Sequence, residues 1–322
     1  MIAGLAAFGA AIALSSAALM GLAIQRGATC MVAAVDEVVT ARRATRALAL
    51  AEAALWVGGL IAIAQIANLL AVFPVRYPVT ASTVLGGVLL GVGAWTNGAC
   101  VFGAIARLGS GQWAYLATPV GFFLGCLVPL HAQSALPGSN HVAPFANAGL
   151  VAIGFAALAV WRFVQAARAP GFFGHLWHPH RATLLIAITF VTTMLTVGLW
   201  AYTDALAALA HAMDARLALR LAMVLALLAG AIAGGWLAGT LRPERPTIAT
   251  IFRCTAGGML MGVGAMLVPG SNDGLIMVGL PLLQPHAWVA VSTMAISIAA
   301  SIAVARHFRR PHPPLAEIVE QW

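Results

Sequence analysis

The sequence contains no lysine, and only 8% of its 322 residues are charged, against roughly 25% in a soluble domain. So little charge cannot keep a globular surface wet. With 61% apolar residues and a mean hydropathy of +0.94, the chain reads as an integral membrane protein with no room for a soluble domain of useful size. Its four cysteines include no pair at two-residue spacing, which excludes a disulfide framework and a zinc ribbon. The histidines gather in a loop (His175, His178, His180) and lack ligand spacing on a shared helix face, so no metal site is expected. No ATP-binding motif and no quinone, haem or flavin signature is present, so no cofactor is implied. The +8 charge comes from arginine alone, at span ends, where it signals topology rather than nucleic-acid binding.

Apolar runs of about 20 residues, each able to cross about 30 Å of hydrocarbon, predict nine spans. They lie near 2–24, 50–72, 83–107, 113–130, 145–165, 183–202, 218–240, 254–280 and 286–305. The first lacks a basic leading region and is read as a retained helix. With the N-terminus outside, thirteen arginines from Arg42 to Arg310 fall on the inner side. Arg76, Arg216 and Arg220 fall outside, and Arg26 stands at the inner end of the first span. That asymmetry gives N-out and C-in. Outer loops are expected at 131–144 and 203–215. Asp36, Glu37 and Glu52 are expected to pair with Arg42, Arg43 and Arg46 on the inner face.

The expected fold is all-α, one membrane domain over 1–322. Its halves, about 1–130 and 183–305, are joined by a connecting span at 145–165 that turns the second half upside down. Leu89-Leu90-Gly91-Val92-Gly93-Ala94 recurs as Leu260-Met261-Gly262-Val263-Gly264-Ala265. Each is followed by a polar turn, Asn97-Gly98-Ala99-Cys100 in one case and Pro269-Gly270-Ser271-Asn272 in the other. Upstream, Cys30 precedes Cys100 by about the distance that separates Trp200-Ala201-Tyr202-Thr203 from Ser271. Inverted repeats meeting at broken helices are a transporter signature.

Gly91, Gly93, Gly98 and Gly103 weaken a continuous helix around Cys100. Irregular backbone in a bilayer is tolerated only where protein buries it or a cavity lines it. Cys30, after Gln25-Arg26-Gly27-Ala28-Thr29, and Ser271 likewise precede short helical stretches. Three small polar side chains thus stand at half-helix N-termini, whose unpaired N–H groups and partial positive charge suit an anion. Cys126 and Cys254 read as packing residues. Arg26 reaches the inner headgroups or attracts an anion at its exit. Asp273 is expected to cap the helix that Ser271 opens.

The segments QRGATC, GVGAWTNGACVFGAIARLGSG and GGMLMGVGAMLVPGSNDG resemble the YeeE/YedE membrane proteins over nearly the whole chain. The resemblance implies a bacterial inner-membrane protein that takes up a sulfur compound, thiosulfate being the best-known substrate. It further implies an hourglass-shaped centre in which thiols on short inward helices hand the anion on by S–H···S contacts, with Cys30 and Cys100 as two of those thiols. The family's third central cysteine falls where this chain has Ser271, a harder donor. Thr29, Asn97, Gly98, Gly270, Asn272 and Arg26 complete the expected path. The arginine-rich inner loops and the tail 311–322 are a docking place for a cytosolic sulfur carrier. Two rival readings are a membrane sulfurtransferase or redox enzyme with Cys100 as nucleophile, for which no general base is evident, and an anchor subunit for a soluble sulfur carrier.

Overall fold

The computed structural model describes residues 2–27, 29–70, 77–129, 145–168, 179–211, 216–268 and 270–308, side chains 2–6, 166–168 and 179–181 excepted. The expected loop 131–144, the tail 311–322, Ala28, Arg76 and Pro269 lie outside the described residues.

The helices in chain order are α1 (Ile2–Gly27), α2 (Met31–Asp36, extended by a π turn at Glu37–Ala41), α3 (Thr45–Ile66) and α4 (Ala81–Asn97). Next come α5 (Val101–Gly109), a 3-10 turn (Trp113–Leu116) leading into α6 (Ala117–Cys126), and α7 (Ala148–Arg168). The remainder are α8 (Pro179–Val197), α9 (Tyr202–His211), α10 (Leu217–Leu237), α11 (Ile248–Leu267), α12 (Asn272–Gly274, extended by a π turn at Leu275–Gly279) and α13 (Pro285–Phe308). Among the described residues eight helical stretches are long and apolar enough to cross a membrane, and Trp113–Cys126 is a shorter apolar ninth. The chain is thus an all-α multi-pass membrane protein.

Two boundaries differ from expectation. The span read at 254–280 is a full helix, α11, followed by the separate short α12. The stretch 203–215 was expected as a loop because Asp204 and Asp214 make it polar. Its first half instead continues α9, which buries Tyr202, Thr203, Ala205 and Leu206 against α6 and α10.

Small residues bring the helices together. Gly93 of α4 meets the backbone at Gly257 and Met261 of α11, and Gly264 of α11 meets Gly86 and Leu90 of α4. The recurring glycine motifs therefore face each other in an antiparallel crossing. Gly87 and Gly91 of α4 lie on α13 at Ala290 and Met294, a parallel contact. Gly91 and Gly93, expected to weaken the helix, sit within an unbroken α4. In hydrocarbon, where water drives no helix association, such close backbone contact is what holds helices together. Along α11, α6 runs parallel, with Gly121 on Thr255 and Gly125 on Met259. On the other flank α1 crosses α10 and α8, and α8 crosses α3.

Of the three acids expected to pair with Arg42, Arg43 and Arg46, Glu37 does so, meeting Arg46 at 3.8 Å, whereas Asp36 reaches Arg306 at 3.5 Å and Glu52 pairs with Arg162 of α7. Local spacing missed the last two because their partners come from distant helices.

Candidate functional site

α4 ends where Gly98 turns to the left-handed φ of +78°, a conformation open to glycine at little cost. Asn97, fully buried, holds the turn: its Nδ2 donates to Ala99 O at 2.7 Å. Thr118 Oγ1 donates to Asn97 Oδ1 at 3.0 Å, and Tyr115 OH donates to Asn97 O at 3.3 Å. The polar atoms of Asn97 thus tie the break to α6 and its leading turn. Cys100 follows in extended backbone as the N-cap of α5.

Cys30 is the N-cap of α2, also in extended backbone. The two N-termini meet. Met31 N–H donates to Cys100 Sγ at 3.2 Å, which sets the N-cap of α5 beside that of α2. Gly103 is required here, since a Cβ on it would collide with Cys30 Sγ. Both thiols are buried, Cys30 at 8% exposure and Cys100 at 0%. Cys126 and Cys254 are buried elsewhere in the core, and all four cysteines are unbonded. A mild thiol oxidant such as diamide is therefore expected to join Cys30 to Cys100 and leave Cys126 and Cys254 free. Peptide mass mapping checks this, and the Cys30→Ala variant supplies the blank.

Cys30 and Gly98 line a cavity of about 480 Å³ with Trp95, Gly103, Ala106, Arg46, Arg107, Asp36 and Ile302. It opens at the C-terminal ends of α4 and α13. A second cavity, of about 290 Å³, opens at the opposite ends of the same helices. Its wall includes Tyr77, Trp200, Asp204, Gly270, Gly274, Gln284 and His286. A void of only about 10 Å³ is lined by Thr29, Leu50, Ala53, Phe102, Ile186, Ile276 and Met277; in the chain Thr29 adjoins Cys30 of the first cavity, and Ile276 and Met277 stand between Leu275 and Val278 of the second.

The second pair of short helices, α9 and α12, meets like the first, with different chemistry. Ser271 is the N-cap of α12, after Gly270 at φ +97°. Its Oγ lies 2.6 Å from Asp204 Oδ1 and 2.7 Å from Asp273 Oδ1. Asp273 accepts from Thr203 N–H at 3.1 Å, from the Thr203 hydroxyl and from Gly274 N–H at 3.2 Å. Asp273 thus lies inside α12, whose N-cap is Ser271 with no side-chain cap bond, and beyond its neighbour Gly274 N–H its carboxyl serves the N-terminus of α9. Where Gly103 leaves room for the Cys30 thiol, Gly274 faces the Asp204 carboxyl.

The remaining expected residues are placed as follows. Thr29 is buried with no partner for its hydroxyl, and Asn272 is fully buried with neither amide atom paired. Arg26 stands half-buried in the last turn of α1. Beside it the buried Gln25 donates to Thr240 Oγ1 at 3.1 Å and tethers α1 to the segment after α10. Sequence reading placed none of Asp204, Arg46, Arg107 and Trp200 on the path, yet all four line a cavity. The arginines had been absorbed into the topology count, and Asp204 into a loop.

No curated protein matches the chain. A family model described as "Sulphur transport" matches residues 26–300, a region that contains both pairs of short helices and all four cysteines. The chain belongs to this sulphur-transport family.

Proposed function

We propose that the protein carries a small sulfur-containing anion, thiosulfate in the first instance, into the cell across the bacterial inner membrane. The observation that carries this reading is the meeting of two helix N-termini, those that follow Cys30 and Cys100, at the wall of the larger cavity. Backbone N–H groups and helix dipoles favour an anion there. Thiols are weak donors and soft acceptors, suited to passing a polarisable sulfur atom without holding it. Cys100 relays the anion at the constriction and Cys30 receives it into the larger cavity. Thr29 and Asn272 offer hydrogen bonds along the way, and Ser271, held between Asp204 and Asp273, shapes the wall beside them. Gly98 and Gly270 keep the backbone accessible, and Asn97 holds the break in shape. Arg26, Arg46 and Arg107 draw the anion toward the cytoplasm.

The path lies, in this reading, between two inverted halves, 1–130 and 183–305, joined by α7. The helix pairing supports it: exchanging the halves converts α1 on α10 into α8 on α3, and α4 on α13 into α11 on α6, all of which are contacts. The contacts α1 on α8 and α4 on α11 map onto themselves. The arginine distribution supports an outer N-terminus and a cytoplasmic C-terminus. On that orientation the larger cavity, with its arginines, faces the cytoplasm, where a sulfur-carrier protein could collect the product.

The test is uptake of radiolabelled thiosulfate by the purified protein in liposomes. Accumulation of chemically unchanged thiosulfate is expected. A persulfide trapped on Cys100, with sulfite released and nothing accumulated, would instead establish a sulfurtransferase.

A further inference from the structure

The Asp204–Ser271–Asp273 cluster is an odd wall for an anion path, and its hydrogens do not balance if both acids are ionised. A hydroxyl carries one proton, yet Ser271 Oγ lies within 2.6 Å of Asp204 Oδ1 and 2.7 Å of Asp273 Oδ1. It can donate to one of them. The other oxygen must bring its own proton, or two acceptors face each other unbridged. Asp273 is served by two backbone N–H groups and the Thr203 hydroxyl, an arrangement that favours the ionised form. Ser271 therefore donates to Asp273, and the second proton sits on Asp204, which donates to Ser271 Oγ. Asp204 is also the acid of the two that lines the cavity.

A second observation marks this cavity as a place where an acceptor binds. Trp200 lines the same wall and is 3% exposed, yet its indole N–H has no partner. Buried donors of this kind are rare without a ligand or water to meet them.

We propose that Asp204 is the proton-binding group of this cavity, and that a small oxoanion loads there together with one proton. With Asp204 neutral, one carboxylate remains, and its charge is already engaged by the α9 N-terminus. With Asp204 ionised, two carboxylates repel the anion. The other titratable or charged groups around Asp204 are Tyr202 and His211 on α9, Asp273 on α12, Arg220 on α10 and Cys126 on α6. Tyr77 and His286 share the cavity wall. Of these, His211 stands at the far end of α9.

The choice of thiosulfate as probe rests on the transport reading above, so the experiment separates the two. Adding thiosulfate to the full-length protein in weak buffer near neutral pH is expected to draw about one proton per anion bound. Asp204→Asn, which resembles the protonated acid, binds thiosulfate without proton uptake. In liposomes the parent loses up to about tenfold in uptake per pH unit above the titration of Asp204. Asp204→Asn stays flat, and His286→Gln keeps the parent's response. Proton uptake that survives in Asp204→Asn, or thiosulfate binding by the parent with no proton, overturns the proposal. If the parent binds no thiosulfate, the transport reading fails instead. The proton site is then decided by infrared spectroscopy: the parent must show a protonated carboxyl band that Asp204→Asn lacks. Should that variant not fold, Ser271→Ala must shift the band, and an unmoved band overturns the proposal.

Discussion

Cys100→Ala is expected to fold and to lose thiosulfate uptake by on the order of 100-fold, equivalent to about 2.7 kcal/mol at the barrier. Two effects combine. Sγ of Cys100 accepts the Met31 N–H at 3.2 Å, so alanine leaves the first amide of α2 unpaired in a buried place, at about 1–3 kcal/mol. It also removes the thiol that the transport reading places on the path beside Cys30. Cys100→Ser separates these effects. The hydroxyl keeps an acceptor for Met31 and restores stability, but it is harder and less polarisable, and uptake is expected to remain about tenfold below the parent. Initial uptake rates in liposomes, normalised to reconstituted protein, measure both. Serine behaving as the parent would mean that the thiol acts only as a cap. Alanine behaving as the parent would remove Cys100 from the path.

The position of Cys100 was legible because a polar turn inside an apolar span has to be explained by burial or by a cavity. The same logic found Cys30 and Ser271. What it could not give was which atoms each side chain meets. Asn97 looked like a path residue but ties the break to Thr118 and Tyr115. Gly91 and Gly93 looked like weak points in a helix, because glycine propensity is local. Their role is set by α13 and α11, which approach from almost two hundred residues away. α9 was misread for a related reason. Asp204 is costly in hydrocarbon unless neutral or paired, and its partner Ser271 is brought in only by the fold. Arg46 and Arg107 carried a second meaning that the topology count concealed, since they line the cavity that holds Cys30.

The recurrence of motifs was the most informative sequence signal, because close contacts recur with the residues. Gly93 on Gly257 and Met261 has its counterpart in Gly264 on Gly86 and Leu90. The chemistry, by contrast, has diverged between the halves. Two thiols stand at one pair of N-termini, and a serine with two carboxyls at the other. An anion crossing from the second cavity to the first would leave hard oxygen donors for soft sulfur ones. That order matches an anion whose hydrated oxygens are stripped first and whose sulfur is handed on last.

Gly230→Ile is expected to prevent assembly of the whole bundle. A Cβ on Gly230 would fall on the carbonyl of Ala18, and one on Gly21 would fall on the carbonyl of Leu227. The crossing of α1 and α10 is therefore backbone on backbone from both sides, and no rotamer of a neighbour can relieve the clash. Overpacking typically costs about 1–3 kcal/mol and more where backbone must move, and lipid supplies no hydrophobic force to push separated helices back together. The damage extends to the site, because the last turn of α1 carries Gln25, whose bond to Thr240 helps set where Cys30 stands. Fluorescence-detected size exclusion of the solubilised protein should show aggregate or loss of the parent peak, with no thermal transition left to measure. Gly154→Ile on α7 is the control, since no atom lies within 4 Å of a Cβ there, and it should elute and melt as the parent does. Gly230→Ile running with the parent would mean that α1 and α10 can separate freely, and the close crossing would no longer account for how Cys30 is held against Cys100.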